Sequence, residues 1–209
     1  EPGRCLAQGV GSIIPYLTGA NSFDGSVMPS YQLNLEDYAA VWDEWDPSWR
    51  TVYGADLVTA PEKGIQRLFG DERYLLSAWV LSEAMARLGA PAYRYYLDLP
   101  GPEGLPLSGS PHGFDGFLLF ESKVFSPGSD WEVWGGQLRR AWIEFARAGV
   151  PCALDPRVGV WQPVGESSQW HRLGSASGIS DQLLNERLSR LLRRYHYRCH
   201  GDPSPLSTS

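Results

Sequence analysis

Two residues, an acid and a histidine, have the chemistry and the setting of a proton-transfer pair. His112 lies in a Gly/Pro/Ser turn, beyond a strand-like run and a Pro/Gly-rich connection, and Asp24 ends a Gly-rich turn after an apolar stretch. A histidine moves protons near neutral pH, and a carboxylate beside it orients the ring and stabilises its charged form. On an α/β sheet, an acid after one strand and a histidine after a later one are two members of a nucleophile–acid–histidine triad. Taken by itself, His112 is more simply interpreted as a surface-loop residue.

The third member of such a triad, a nucleophilic serine, is missing from its expected position upstream of the acid. Its usual setting is a Gly-x-Ser-x-Gly turn between a strand and a helix. Residues 165–169 begin like such a turn around Ser167, but Gln169 stands where the second glycine belongs, and Pro163 disfavours a preceding strand. Ser12 precedes its strand, where no strand-to-helix turn can form. We therefore interpret both serines as ordinary loop residues.

Two stretches predict the parallel strands that would carry these loops. Ile13–Thr18 is almost continuously apolar, as in a strand covered on both faces, with Pro15 near its start. Ala92–Leu99 alternates in polarity, which predicts a half-exposed strand at the edge of the sheet. The chain between them is long enough for a crossover that carries extra cap helices. The first strand then has only one neighbour here, so its other side requires strands from elsewhere.

Helical periodicity follows each of these strands. Residues 71–88 predict a helix with Asp71 as its N-cap. Ser129 and Glu132 have the spacing of a capping box at the start of another helix with an apolar stripe. Residues 180–197 predict a last amphipathic helix.

The remaining segments show weaker patterns. Residues 26–70 are predicted to be irregular, although Trp42, Trp45 and Trp49 have the spacing of one face of a short helix. We expect these tryptophans in the core, with an aromatic wall over a substrate cavity as the alternative. Residues 151–178 are predicted to form a loop.

Composition excludes some partners. The net charge of −6 disfavours nucleic acid or an anionic membrane, and no apolar run approaches the roughly 20 residues that span a bilayer. The arginines from Arg187 to Arg198 are interpreted as the solvated face of the last helix. Three cysteines cannot close a complete disulfide set, although Cys152 with Cys199 is possible, and the cellular compartment stays open.

Two further groups of residues are alternatives to the acid–histidine pair. His196, Cys199 and His200 suggest a metal site by spacing only, and no second ligand pair completes a tetrahedral set. A frayed helix end is favoured, and the sequence calls for neither a metal nor a cofactor. Asp115, three residues after His112, is interpreted as a structural turn residue.

Four blocks of sequence occur in the order found in one known family. They are Pro15–Gly25, Gly89–Tyr96, Ser110–Asp115, and Ala141–Pro151 followed by Trp161. They resemble, in turn, the triad-acid block, a late strand, the catalytic histidine block, and a late helix with its Trp-Pro segment in the type B carboxylesterases. That family includes para-nitrobenzyl esterases, cholinesterases and fungal lipases.

The resemblance implies an α/β-hydrolase fold, with residues 1–209 as the C-terminal part of a single domain: its last parallel strands with crossover and cap helices. It implies a serine carboxylesterase that hydrolyses carboxylic esters through an acyl-enzyme. Asp24 would be the triad acid, where the family usually has the longer Glu, and His112 would be the triad histidine.

The same resemblance implies two partners, a small-molecule ester and an N-terminal portion of the esterase. The serine and the oxyanion-hole glycines of the family lie in that portion. A non-catalytic, cholinesterase-like interaction protein on the same fold is the alternative hypothesis. Retention of both Asp24 and His112 argues against it, and an upstream Gly-x-Ser-x-Gly would distinguish the two.

Overall fold

The computed structural model describes residues 13–100, 109–120, 129–153, 159–165, 170–175 and 179–200. Three parallel strands form one sheet in the order β1-β2-β3; they are β1 Tyr16–Asn21, β2 Ala92–Leu97 and β3 His171–Leu173. The helical elements in chain order are a 3₁₀ helix Asp24–Tyr31, α1 Leu35–Trp45, α2 Trp49–Val52, α3 Gly54–Thr59, α4 Pro61–Gly70, a π-helical turn Asp71–Leu75, α5 Leu76–Arg87, α6 Phe114–Phe120, α7 Asp130–Ala148 and α8 Asp181–His200.

Strands β1 and β2 pair in parallel, as predicted, from Tyr16 opposite Ala92 to Asn21 opposite Leu97. Strand β1 begins later than predicted, because Ile13 and Ile14 are exposed and precede it. Within the described residues β1 pairs on one side only, so it forms an edge of this sheet.

The prediction that the second strand lies at an edge is wrong. All six residues of β2 are buried, and β3 pairs on its far side within a segment predicted to be a loop. The strand alternates in polarity because of Arg94, but this arginine is only 1% exposed. Its guanidinium lies 3.6 Å from the ring centroid of Trp79 and donates a hydrogen bond to Glu83.

Helices cover both faces of the sheet. On one face Tyr96 packs with a core drawn mainly from α1, α4, α5 and α8. On the other face Tyr93 and Tyr95 pack with α6, α7 and Trp161. The alternating side chains of β2 therefore serve two hydrophobic cores, as expected of a parallel strand between two helical layers.

The crossover from β1 to β2 is helical, so the prediction of an irregular segment at 26–70 is wrong. Asp71 is also not an N-cap: it has right-handed helical dihedrals inside a helical run that continues from α4 into α5. Its buried carboxylate accepts a hydrogen bond from the Tyr53 hydroxyl at 2.9 Å. Burial raises the pKa of Asp71 to about 6, against the opposing charge of Arg187.

Two predictions in the helices are confirmed. Trp42 and Trp49 lie in the core, 1% and 0% exposed, and Trp45 is half-buried against it, although Trp49 belongs to α2 and not to the helix of the other two. The Ser129 hydroxyl accepts a hydrogen bond from the Glu132 amide and caps α7. In contrast, the possible disulfide between Cys152 and Cys199 is not formed, because both are free thiols. Within the described ranges, no helix has the length and apolarity to cross a bilayer.

The arginines of α8 form a solvated face only in part: Arg193 and Arg198 are exposed, whereas Arg187 is buried. Arg187 is 1% exposed and lies 2.8 Å from Asp56 and 3.6 Å from Asp71, so it joins α8 to the crossover helices. The other arginines pair with acids of the same layer: Arg190 and Arg193 with Asp46 at 2.9 and 2.8 Å, and Arg194 and Arg198 with Glu72 at 3.6 and 3.8 Å. A basic sequence cluster here is one half of an ion-pair network.

Candidate active site

The loops that follow β1 and β2 meet at the carboxyl edge of the sheet. The amide of Phe23 donates to the carbonyl of Ser110 at 2.8 Å, and Phe23 forms an isolated parallel bridge with Pro111. The Ser110 amide donates in turn to the hydroxyl of Ser22 at 2.9 Å. These contacts extend the parallel pairing beyond the strands and hold residues 24 and 112 side by side.

Two glycines let the loop after β1 lie directly on the crossover helix. A Cβ at Gly25 would lie 1.6 Å from the carbonyl oxygen of Gln66, and one at Gly70 would lie 2.2 Å from the amide nitrogen of Gly25. Asp24 is therefore fixed by backbone contact with α4 and by hydrogen bonds to the strand end.

The structure brings Asp24 and His112 together. His112 Nδ1 lies 2.9 Å from Asp24 Oδ1, and the other carboxylate oxygen accepts the Asn21 amide at 2.7 Å. A carboxylate only accepts, so the proton of this contact lies on Nδ1 and the imidazole presents Nε2 as an acceptor. The side chain of Asp24 is 6% exposed and that of His112 is 38% exposed. A buried acid thus orients a histidine that a reacting group can reach.

The charges of the pair influence one another. The hydrogen bond to the Asp24 carboxylate raises the pKa of His112, with burial of the ring opposing that effect. Burial raises the pKa of Asp24, while the hydrogen bonds from His112 and Asn21 lower it. The contact with Asp24 thus stabilises the protonated imidazole, the state in which a base has just accepted a proton, whereas burial works against the ionised form of Asp24.

Two contacts hold His112 from the crossover side. Its amide donates to the Ser26 hydroxyl at 2.8 Å. Its ring packs against Tyr74, with centroids 4.6 Å apart and planes 39° apart. Tyr74 lies in the π-helical turn, an irregularity that often occurs at functional sites. Tyr74 is not recognisable from sequence as a site residue, because an extra residue in a helical turn does not change the composition.

Asp115 lies behind the pair. It accepts the Tyr95 hydroxyl at 2.6 Å and the side-chain amide of Asn21 at 3.2 Å. The same amide donates to Asp24 at 3.3 Å, so Asn21 bridges the two acids. Asp115 is thus occupied by β1 and β2, as its interpretation as a structural residue requires.

A small cavity of about 120 Å³ opens beside the pair, lined by Asp24, His112, Tyr74 and residues of the β1 end. Of the serines nearby, Ser22 and Ser110 are buried and bond to backbone, and Ser26 receives the His112 amide. Ser12 and Ser167 lie outside the described residues.

The possible metal ligands near the end of α8 gain no support. Across the described ranges, no three His, Cys, Asp or Glu side chains are grouped to hold a metal ion. The side chain of His200 lies outside the description.

The three-stranded parallel sheet and its two helical layers define part of an α/β domain. The solved structures that the chain resembles include two of PNB esterase, each at a TM-score of 0.61, with 19% and 18% sequence identity. Each match covers 90% of this chain and 41% of the esterase chain, so this chain spans about two fifths of their length. No family model and no curated protein matches the sequence. At this identity the likeness shows the fold.

Proposed function

We propose that this chain is the C-terminal portion of a serine carboxylesterase of the type B family and supplies the acid and the histidine of its triad. The observation that carries the proposal is the 2.9 Å contact between His112 Nδ1 and Asp24 Oδ1, on adjacent loops at the carboxyl edge of a parallel sheet. The fold shared with PNB esterase supports the same class of reaction.

In the proposed reaction, Nε2 of His112 accepts the proton of a serine hydroxyl as its oxygen attacks the ester carbonyl. Asp24 holds the imidazole in the required tautomer and stabilises the imidazolium. The imidazolium then gives its proton to the leaving alcohol oxygen, which breaks the carbon–oxygen bond and leaves an acyl-serine. A water molecule activated by His112 hydrolyses the acyl-enzyme and regenerates the serine.

The serine and the oxyanion-hole donors are proposed to come from an N-terminal portion of the protein. Strand β1 supports this, because within the described residues it pairs only with β2 and leaves its other edge open. The unpaired N–H and C=O groups of such an edge are available to pair with a further strand. The chain is therefore proposed to lie beside that portion, as a continuous or separate chain.

The test is ester hydrolysis by the complete protein with and without the histidine. We expect His112→Ala to lower kcat for 4-nitrophenyl butyrate by at least about 10³-fold, because the proton carrier is lost. The half-exposed ring sits on a loop, so the urea midpoint should change little. His196→Ala on α8 is the matched control and should retain activity. An inactive wild-type protein that carries a Gly-x-Ser-x-Gly segment would contradict the proposal and favour the interaction protein.

The isolated 209-residue chain should not hydrolyse the same ester. It would lack the nucleophile and the oxyanion donors, whose loss costs about 3 kcal/mol or more of transition-state stabilisation. Rapid turnover by the isolated chain, abolished by Ser167→Ala, would overturn the assignment of the missing serine to another portion.

A further inference from the structure

A second cavity of about 980 Å³ lies next to the histidine pocket, between the 3₁₀ helix, the π-helical turn, α5 and α8. We name it the basic groove; its walls include Tyr31, Phe69, Arg73, Tyr74, Arg194 and Arg198. Tyr74 lines this groove and also the small cavity beside Asp24 and His112. Tyr74, whose ring packs on the imidazole, is therefore a wall shared by the two spaces.

The charge of the basic groove is opposite to that of the protein. Among its described lining residues are three arginines and one glutamate, whereas the whole chain has a net charge of −6. The glutamate, Glu72, already accepts the Tyr38 hydroxyl and pairs with Arg194 and Arg198. The groove thus has an excess of guanidinium groups over carboxylates, which attracts an anionic ligand.

Arg73 is the guanidinium best placed for such a ligand. It is exposed and forms no ion pair within the described residues. Its guanidinium lies 4.6 Å from the ring centroid of Tyr31 and 5.1 Å from that of Phe69. This stacking limits the conformations of a side chain that also lines the groove. A planar guanidinium of this kind binds a carboxylate through two parallel hydrogen bonds.

The position of the groove identifies which half of an ester it would hold. In the proposed reaction His112 protonates the oxygen of the leaving alcohol, so the alcohol half must pass beside the imidazole. Tyr74 lies against that imidazole and opens onto the groove. The aromatic side chains of the groove would pack against a flat apolar group of the alcohol, and the Arg73 guanidinium would bind a negatively charged group at its far end.

We propose that the basic groove is the alcohol-side subsite of the enzyme, and that it selects esters whose alcohol half is aromatic and carries a carboxylate bound by Arg73. This inference rests on the proposed esterase function and adds the substrate class. Hydrolysis releases an anionic aromatic alcohol into the groove.

The test compares two esters with the same acyl group, phenyl butyrate and 4-carboxyphenyl butyrate, in the complete protein at low salt. We expect the carboxylated ester to have the higher kcat/KM. Arg73→Gln should lower that value about tenfold and leave phenyl butyrate within about twofold, since only one ester uses the charge. Arg50→Gln is the matched control: this exposed arginine also stacks on an aromatic ring, Trp49, but lies outside the groove.

Equal loss on both esters in Arg73→Gln, or no loss on the carboxylated one, would overturn the subsite while the esterase function stands. If the wild-type protein hydrolyses neither ester, the esterase proposal fails, and binding of 4-hydroxybenzoate decides the groove separately. Calorimetry should then show binding to the wild-type protein that Arg73→Gln weakens about tenfold and Arg50→Gln leaves unchanged. No binding by the wild-type protein would refute an anionic aromatic ligand.

Discussion

Replacement of Asp24 by asparagine tests the central contact directly. The substitution keeps the size of the side chain and removes the charge that faces His112 Nδ1 at 2.9 Å. Because that contact is the largest cause of the raised His112 pKa, the pKa should fall in the variant. An amide can also accept from Nδ1–H or donate to Nδ1, so the tautomer of the ring is no longer fixed.

The strength of the lost interaction follows from the exposure of the ring. A hydrogen bond to a charged group is worth about 1.5–3 kcal/mol, and the His112 side chain is 38% exposed, so solvent screening favours the lower value. We therefore expect Asp24→Asn to remove an interaction worth about 1.5 kcal/mol and the pKa of His112 to fall.

The assay is an NMR titration of the His112 ring in the purified protein, with its signal assigned by its loss in His112→Ala. Asp115→Asn is the control, since Asp115 bonds to Tyr95 and Asn21 and acts on the imidazole only through space. An unchanged pKa in Asp24→Asn, or an equal fall in both variants, would refute the assignment of Asp24 as the partner of the histidine.

The same pair predicts the direction of pH effects. The folded-state pKa of His112 is raised, so wherever Asp24 is ionised the pair stabilises the fold below the unfolded pKa of about 6.5. That contribution is lost as the pH rises through the higher folded pKa. Hydrolysis has the opposite dependence, because the base must be neutral. The acid limb of kcat/KM should therefore lie above pH 6.5 and move to lower pH in Asp24→Asn.

Three further substitutions test the supports of the site. Gly25→Ala should destabilise the fold by about 3 kcal/mol or more in urea, because the new methyl would lie 1.6 Å from a backbone oxygen of α4. Arg187→Leu should cost about 3–5 kcal/mol in the same assay, because it leaves the buried carboxylate of Asp71 without its closest α8 partner. Tyr74→Leu should lower kcat about tenfold with little change in the urea midpoint, because the ring of His112 loses its packing partner. Tyr74→Phe keeps the aromatic ring and should retain activity. An unchanged kcat in Tyr74→Leu would show that the stacking does not orient the imidazole.

The sequence predicted those parts of the fold that depend on local pattern. The parallel pairing of β1 with β2 and the Ser129 cap of α7 were recognisable because strand turns and caps use few residue types. Asp24 and His112 were identified from their loops before their contact was known. Their proximity depends on the pairing of two distant segments, which no single stretch encodes.

The errors arose where burial and polarity disagree. The alternating pattern predicts a solvent-facing Arg94, yet this arginine stacks on Trp79 and pairs with Glu83, so a central strand has the sequence pattern of an edge strand. Asp71 resembles a cap in sequence because a buried acid inside a helix is unusual, and its partner Arg187 lies far along the chain. A polar residue that is buried and paired through tertiary contacts cannot be distinguished in sequence from a polar residue at the surface.

The π-helical turn at Asp71–Leu75 has a consequence for how this protein tolerates change. One extra residue in a helix rotates all that follows by about 100° relative to what precedes. In the run from Pro61 to Arg87, the helical positions before the π-helical turn are therefore rotated relative to those after it. With this rotation Asp71 faces the buried ion pairs and Tyr74 faces His112. Deleting a single residue there would give a more regular helix and misalign one of these two faces. A change that made this helix more regular would thus disturb the site. Insertions and deletions should therefore be tolerated more readily in the loops than in this helix.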